Sequence, residues 1–167
     1  WTWGAPNWRC NTYMFEHLAS HNVQYSSDVR GVCPFYPVVN GRKSSVLQLP
    51  INLPCLHEIA HYGISKECMP DFMAQCAAGA YNLWCIHDYY EGMLQRRLFV
   101  NVISRLADEG FAIKPLSSAY ASTEEFGPLE SELDLVHVPG GSGFVSCQRE
   151  FLEENYFSLL EHFVARL

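Results

Sequence analysis

The chain has 167 residues, 49% of them apolar and 17% charged, with a formal net charge of -7, which excludes a disordered or fibrous chain and fits one soluble globular domain or a piece of a larger one. Eleven Lys and Arg against eighteen Asp and Glu, with no basic cluster, leave no electrostatic footprint for nucleic acid. The apolar runs are broken every few residues, so none approaches the roughly 20 residues needed to span a bilayer.

In chain order, the opening WTWGAPNWR has no initiator Met, signal peptide or low-complexity tag, as if the chain were entered in mid-domain, and a truncated chain is expected. Asn11 or Thr12 can cap a helix running to about Ser20, with Met14, Phe15 and Leu18 on one face. A short strand is expected near Val23 to Ser26, then a loop with Gly31, Pro34 and Pro37, a turn at Asn40-Gly41, and a strand over Ser45 to Leu49 ended by Pro50. Asp71 to Ala78 suits a short helix, and Asn82 to Ile86 is an apolar run of buried-strand length. The strongest helix pattern runs from Gly92 to Asp108, with Leu94, Leu98, Val102 and Leu106 at steps of four; Phe111 to Ile113 follows as a strand. Strand, helix, strand in this order points to α/β architecture with a parallel sheet. Beyond Ser122, HVPGGSGF lacks the phosphate-cradle spacings and reads as a plain turn, and residues 149 to 166 fit an acidic helix packed on the same fold.

Seven widely spaced cysteines with no CxxC read as reduced thiols of a cytosolic protein. His57-Glu58-Ile59-Ala60-His61 carries the letters of a zinc peptidase, whose chemistry needs two His one helical turn apart on the metal and a Glu on the bound water. Pro50, Pro54 and Gly63 leave at most about two turns of helix there, so neither His is assigned to a metal. His17 and His21 are also four apart, but lie toward the exposed end of the first helix and read as surface. His137 and His162 have no chemical neighbours in sequence and receive no role. His87 stands between the apolar run ending at Ile86 and the polar Asp88, Tyr89, Tyr90 and Glu91. There a buried strand would emerge at its carboxyl end, the usual place of site residues in α/β sheets. Because imidazole titrates near neutrality, it is the best candidate acid or base.

Four segments read together, PNWRCN, YSSDVRGVCPFYP followed by LQLPINLP, IHDYYEG, and FAIKPLS after a long helix, resemble the polysaccharide deacetylase superfamily, carbohydrate esterase family 4 with its NodB homology domain. Within it the chain looks most like the bacterial subgroup of 4-deoxy-4-formamido-L-arabinose-phosphoundecaprenol deformylases, which serve lipid A modification. The resemblance covers residues 1 to 122, PGGSGFVSCQ adds a family-like segment over 123 to 148, and 149 to 167 would be an additional helix.

The resemblance implies a partial irregular (β/α) barrel with its N-terminal strands missing, and a metal-dependent hydrolase removing an N-formyl or N-acetyl group from an amino sugar. By motif His87 would protonate the leaving amine, Arg9 would hold the catalytic Asp, and Asp28 would pair with Arg9. Trp8 and Phe35 would line the sugar or lipid-phosphate pocket, and Glu91 matches the pattern without a known role. The divalent metal, zinc or similar, would be held by an Asp and an HxxxH pair upstream of the WR motif, which residues 1 to 167 lack, so no metal ligand is assigned. The chain is therefore expected to be the carboxyl-terminal half, inactive alone, whose partner is the upstream half of the same domain. A polyprenyl-linked substrate would bring this cytoplasmic protein to the inner face of the membrane. A non-catalytic glycan-binding relative and a zinc peptidase are the alternatives.

Overall fold

A computed structural model describes residues 2–77, 79–123, 127–138 and 143–152. Two compact units emerge, one whose described residues are 2–52, 114–123, 127–138 and 143–152, the other 53–77 and 79–113.

The first unit is built on a seven-stranded mixed sheet: β1 Thr2–Trp3, β2 Tyr25–Ser26, β3 Phe35–Val39, β4 Arg42–Lys43, β5 Leu47–Gln48, β6 Leu129–His137 and β7 Phe144–Gln148. The order is β1-β2-β5-β3-β6-β7, with β4 paired to β3. β1–β2, β2–β5 and β3–β6 are parallel, whereas β3–β4, β3–β5 and β6–β7 are antiparallel. The α/β expectation holds, but the parallel sheet is corrected to a mixed one, and among the described residues it does not close into a barrel. Isolated bridges from Arg30 to Ile51 and to Cys147 carry the backbone past the end of β2.

Local chemistry explains the elements. α1, Thr12–Ser20, is capped by Asn11, whose Oδ1 accepts the Met14 N–H at 3.0 Å, and it buries Phe15 and Leu18. Asn40 and Gly41 both have positive φ, 52° and 72°, and join Val39 directly to Arg42, the two-residue hairpin turn whose twist matches its strands. β3 replaces the loop expected around Pro34 and Pro37. Pro37 has no N–H, but its carbonyl accepts from Ser44 at 2.8 Å. A strand residue's N–H and C=O point to the same side, so the missing donor faces the hairpin and leaves the ladder to β6 intact. The glycine-rich stretch expected as a plain turn falls between β6 and β7 in the chain, and its residues 139–142 lie outside the described residues. Arg149–Leu152 forms a short 3-10 turn, and the remainder of the expected terminal helix also lies outside them. α5, Leu116–Ala121, completes this unit, with Tyr120 stacked on Tyr25 at 4.4 Å.

The second unit is helical: α2 Leu56–His61, α3 Met69–Cys76 and α4 Arg96–Asp108. Its core gathers Leu53, Leu56, Ile59, Ile64, Phe72, Met73, Leu98, Val102 and Leu106 among others, all buried. No strand forms at Asn82–Ile86 or at Phe111–Ile113, correcting both expectations. The first of these runs extended beside residues 53–55, tied by Leu53 N–H to Leu83 O at 3.2 Å and Trp84 Nε1–H to Pro54 O at 3.0 Å. Within it Trp84 packs against Phe99 of α4, ring centroids 5.7 Å apart, whereas Ile86 is exposed. Among the described residues no helix is long and apolar enough to cross a membrane.

Candidate functional site

In the second unit, the extended segment 82–86 delivers His87 to a helical turn of unusual pitch. Tyr90–Leu94 is π-helical, with Gln95 N–H bonded to Tyr90 O at 2.7 Å and Leu94 N–H to Tyr89 O at 3.1 Å. Such one-turn expansions recur at functional positions because they rotate side chains out of helical register. Glu91 is 1% exposed, and its Oε2 accepts the His87 backbone N–H at 2.6 Å while lying 3.4 Å from His87 Nδ1. Its Oε1 is a buried acceptor without a hydrogen-bond partner among the described residues. The His87 side chain is 43% exposed, so a buried carboxylate stands at one edge of a partly accessible imidazole. An Nδ1 proton facing that carboxylate leaves Nε2 to act outward.

The tie between residues 53–55 and 83–85 also brings α2 to His87. Cys55 Sγ donates to Cys85 O at 3.6 Å, the His57 and His87 rings meet edge to face at 5.4 Å, and Tyr90 stands 6.1 Å from His57. One ligand atom each from Cys55, His57 and His87 falls within 4.8 Å of the other two. Glu58 takes no part: it is fully buried, and its carboxylate reaches back to the Cys55 N–H at 2.8 Å, completing the start of α2. His61 is exposed and rests edge-on against Tyr62 at 5.6 Å. The peptidase arrangement is thus dismantled locally, since its base is consumed as a helix cap, and α2 spans only six residues.

The first unit assembles a different constellation. Asn7 and Trp8 both have positive φ, 53° and 50°, an outlying conformation for a bulky residue such as Trp. It sets the half-buried Trp8 ring over the fully buried guanidinium of Arg30, 4.9 Å from the ring centroid, with Phe151 5.6 Å away. Asp28 is also fully buried: Oδ1 accepts the Ala5 N–H at 2.6 Å and Oδ2 accepts from Gln48 Nε2 at 3.1 Å, while the Asp28 N–H donates to Gln48 Oε1 at 3.1 Å. Burial raises its carboxyl above the usual range, opposed by hydrogen bonds from Ser26, Gln48 and Ala5. Arg9 is exposed, its guanidinium reaching the backbone at Gly143. Phe35 is fully buried on β3.

His87 and Glu91 are therefore joined directly, Asp28 sits in a polar network with Gln48 and Ser26, and Trp8 stacks on Arg30. Sequence reasoning missed Arg30, Gln48 and Cys55. The alternation Ser26, Asp28, Arg30 along an extended run was a legible sign of polar groups sharing one face. Cys55-x-His57 became meaningful only beside His87. His17 and His21, expected as surface residues, lie on α1 and at its C-terminal cap with ring centroids 4.2 Å apart, and His21 Nδ1 is engaged by His17 O at 2.9 Å and Ser20 Oγ at 3.1 Å. His137 packs against Phe144 at 6.1 Å, and His162 lies outside the described residues.

No protein-family model matches the chain. It is 25% identical over 152 residues to a probable 4-deoxy-4-formamido-L-arabinose-phosphoundecaprenol deformylase, ArnD, of Wigglesworthia glossinidia brevipalpis, an alignment covering 89% of this chain and 53% of that protein. The chain spans about half the length of the curated relative it matches. That likeness gives distant support for a deformylase or deacetylase relationship.

Proposed function

We propose that this chain belongs to the machinery of an amidohydrolase that removes an N-formyl or N-acetyl group from an amino sugar, with His87 protonating the departing amine. The observation that carries the reading is the His87–Glu91 pair: a half-exposed imidazole held on one edge by a buried carboxylate. Geometry of this kind suits general acid catalysis, because the carboxylate fixes the tautomer and stabilises the imidazolium before proton transfer. The distant deformylase likeness supports the reaction class. A polyprenyl-phosphate-linked aminoarabinose is the substrate this reading favours. Exposed Ile86, Tyr89, Met93 and Leu94, flanking His87 in sequence, offer apolar surface suited to such a carrier at a membrane face.

In the first unit, Asp28 and Arg9 act as positioning residues, and Trp8 is better suited to meeting a sugar than Phe35, whose buried ring shapes the sheet. The divalent ion of deacetylase chemistry does not fit this chain's donors. The described groups that converge are a thiol and two imidazoles, without the carboxylate that chemistry uses. The ion's ligands are expected from residues other than these.

The test uses the longest reading frame encoding this chain, incubated with N-formyl and N-acetyl amino sugars, free and polyprenyl-phosphate linked, while formate and acetate release is followed. Turnover is expected, and His87→Ala should lower kcat by roughly 10²–10⁴-fold, the usual worth of a positioned acid. Release at the wild-type rate from His87→Ala would remove its assigned role. Sugar binding without any turnover in the intact protein would instead establish a non-catalytic binder.

A further inference from the structure

We propose that Cys55, His57 and His87 form a site for one thiophilic divalent ion of the zinc class. This site is chemically distinct from the Asp and HxxxH site implied by the resemblance and does not rest on the proposed hydrolase activity; with the ion bound, His87 is a ligand and not a proton donor, so the two roles belong to metal-bound and metal-free states of the chain. Three observations support it. The three ligand atoms lie within 4.8 Å of one another, whereas tetrahedral zinc with bonds of about 2.0–2.3 Å asks for donors about 3.3–3.8 Å apart. Rotation of the 43% exposed His87 ring can supply the difference. The donor set, one sulfur and two imidazole nitrogens, is the mixture that borderline-soft Zn²⁺ prefers over Mg²⁺ or Ca²⁺, which take oxygen.

The third observation is independent of the ligands themselves. Glu91 is buried beside His87 with Oε1 lacking a hydrogen-bond partner among the described residues, a costly state for a carboxylate. An ion on the outer nitrogen of His87 would place positive charge near that anion and complete the carboxylate–histidine–metal arrangement typical of such sites. Fully buried Cys55 supplies the anchor, while His57 and His87 close from the more accessible side. Three protein ligands leave a fourth position for water or a small ligand. Binding releases the Cys55 proton to solvent, and Sγ exchanges its contact with Cys85 O for the metal.

The experiment dialyses the reduced 167-residue chain against Zn²⁺, measures bound metal, and repeats the titration with Co²⁺. One ion per chain is expected, with a thiolate-to-cobalt charge-transfer band in the near ultraviolet. Cys55→Ser should abolish that band. His57→Gln and His87→Gln should each weaken binding by more than the roughly 10–100-fold that loss of an outer partner costs, and Glu91→Gln by about that amount. His61→Gln and His17→Gln should bind as wild type. Circular dichroism of each metal-free variant separates loss of a ligand from loss of fold, and the half-exposed His87 provides a variant with little structural cost. Absence of stoichiometric binding by the folded wild type, or a charge-transfer band retained in folded Cys55→Ser, would overturn the site.

Discussion

A methyl group added at Gly31 would lie 2.6 Å from Gln148 Oε1 and 2.8 Å from Pro50 Cβ, closer than real Cβ atoms come. Gln148 cannot swing aside freely, since the same Oε1 accepts the Val32 N–H at 2.9 Å and its backbone N–H donates to Arg30 O at 2.8 Å. Gly31→Ala should therefore destabilise by about 1–3 kcal/mol through overpacking, measured by urea unfolding. Cysteine chemistry is equally local. None of the seven cysteines is in a disulfide, and burial pushes the Cys10 thiol up to about 11, with a hydrogen bond from Ser146 opposing, and the Cys76 thiol up to about 12. Both should resist iodoacetamide at pH 8 in the folded chain and react in urea, as peptide mass mapping would show. A thiol whose folded value exceeds its unfolded 9.0 disfavours ionisation in the native state. The associated loss of stability is absent below pH 9 and grows as pH rises toward those folded values.

At the scale of elements, the π turn decides which residues α4 buries. A strict step-of-four pattern places Leu94 with Leu98, Val102 and Leu106, yet Leu94 is 56% exposed while the other three are buried. The extra residue in the turn, followed by Gln95 at φ -120°, breaks helical phase before Arg96. Leu106→Ala should thus cost about 2–5 kcal/mol, and Leu94→Ala should stay within about 0.5 kcal/mol, both read by chemical denaturation. Equal losses would mean that the helix keeps one phase through residue 94. The same turn brings Glu91 under His87, a consequence the apolar pattern did not reveal. Elsewhere, Asn11 as a cap and Asn40-Gly41 as a turn were legible, because each acts through its own backbone. Asn82–Ile86 was misread as a strand, since a short apolar run fits a buried sheet and a segment lying against helices equally well.

Over the whole molecule, the two units differ in kind: one is a mixed sheet with buried polar groups, the other a helical cluster with an apolar core. Asp28, Arg30 and Gln48, fully buried in the first, are groups whose desolvation must be offset by partners, and their hydrogen bonds and ring contacts supply this. Composition, capping residues, turn dipeptides and helix periodicity determined the α/β class, the ends of α1 and the α4 face, since these depend on neighbours within a few positions. The prominence of His87 also came from sequence, through its place at the end of an apolar run. Tertiary structure alone decided what surrounds that residue. Cys55 and His57 lie about thirty positions away, and only the hydrogen bonds between residues 53–55 and 83–85 bring them to it. A sequence displays spacing along the chain, whereas a site is defined by distances across it.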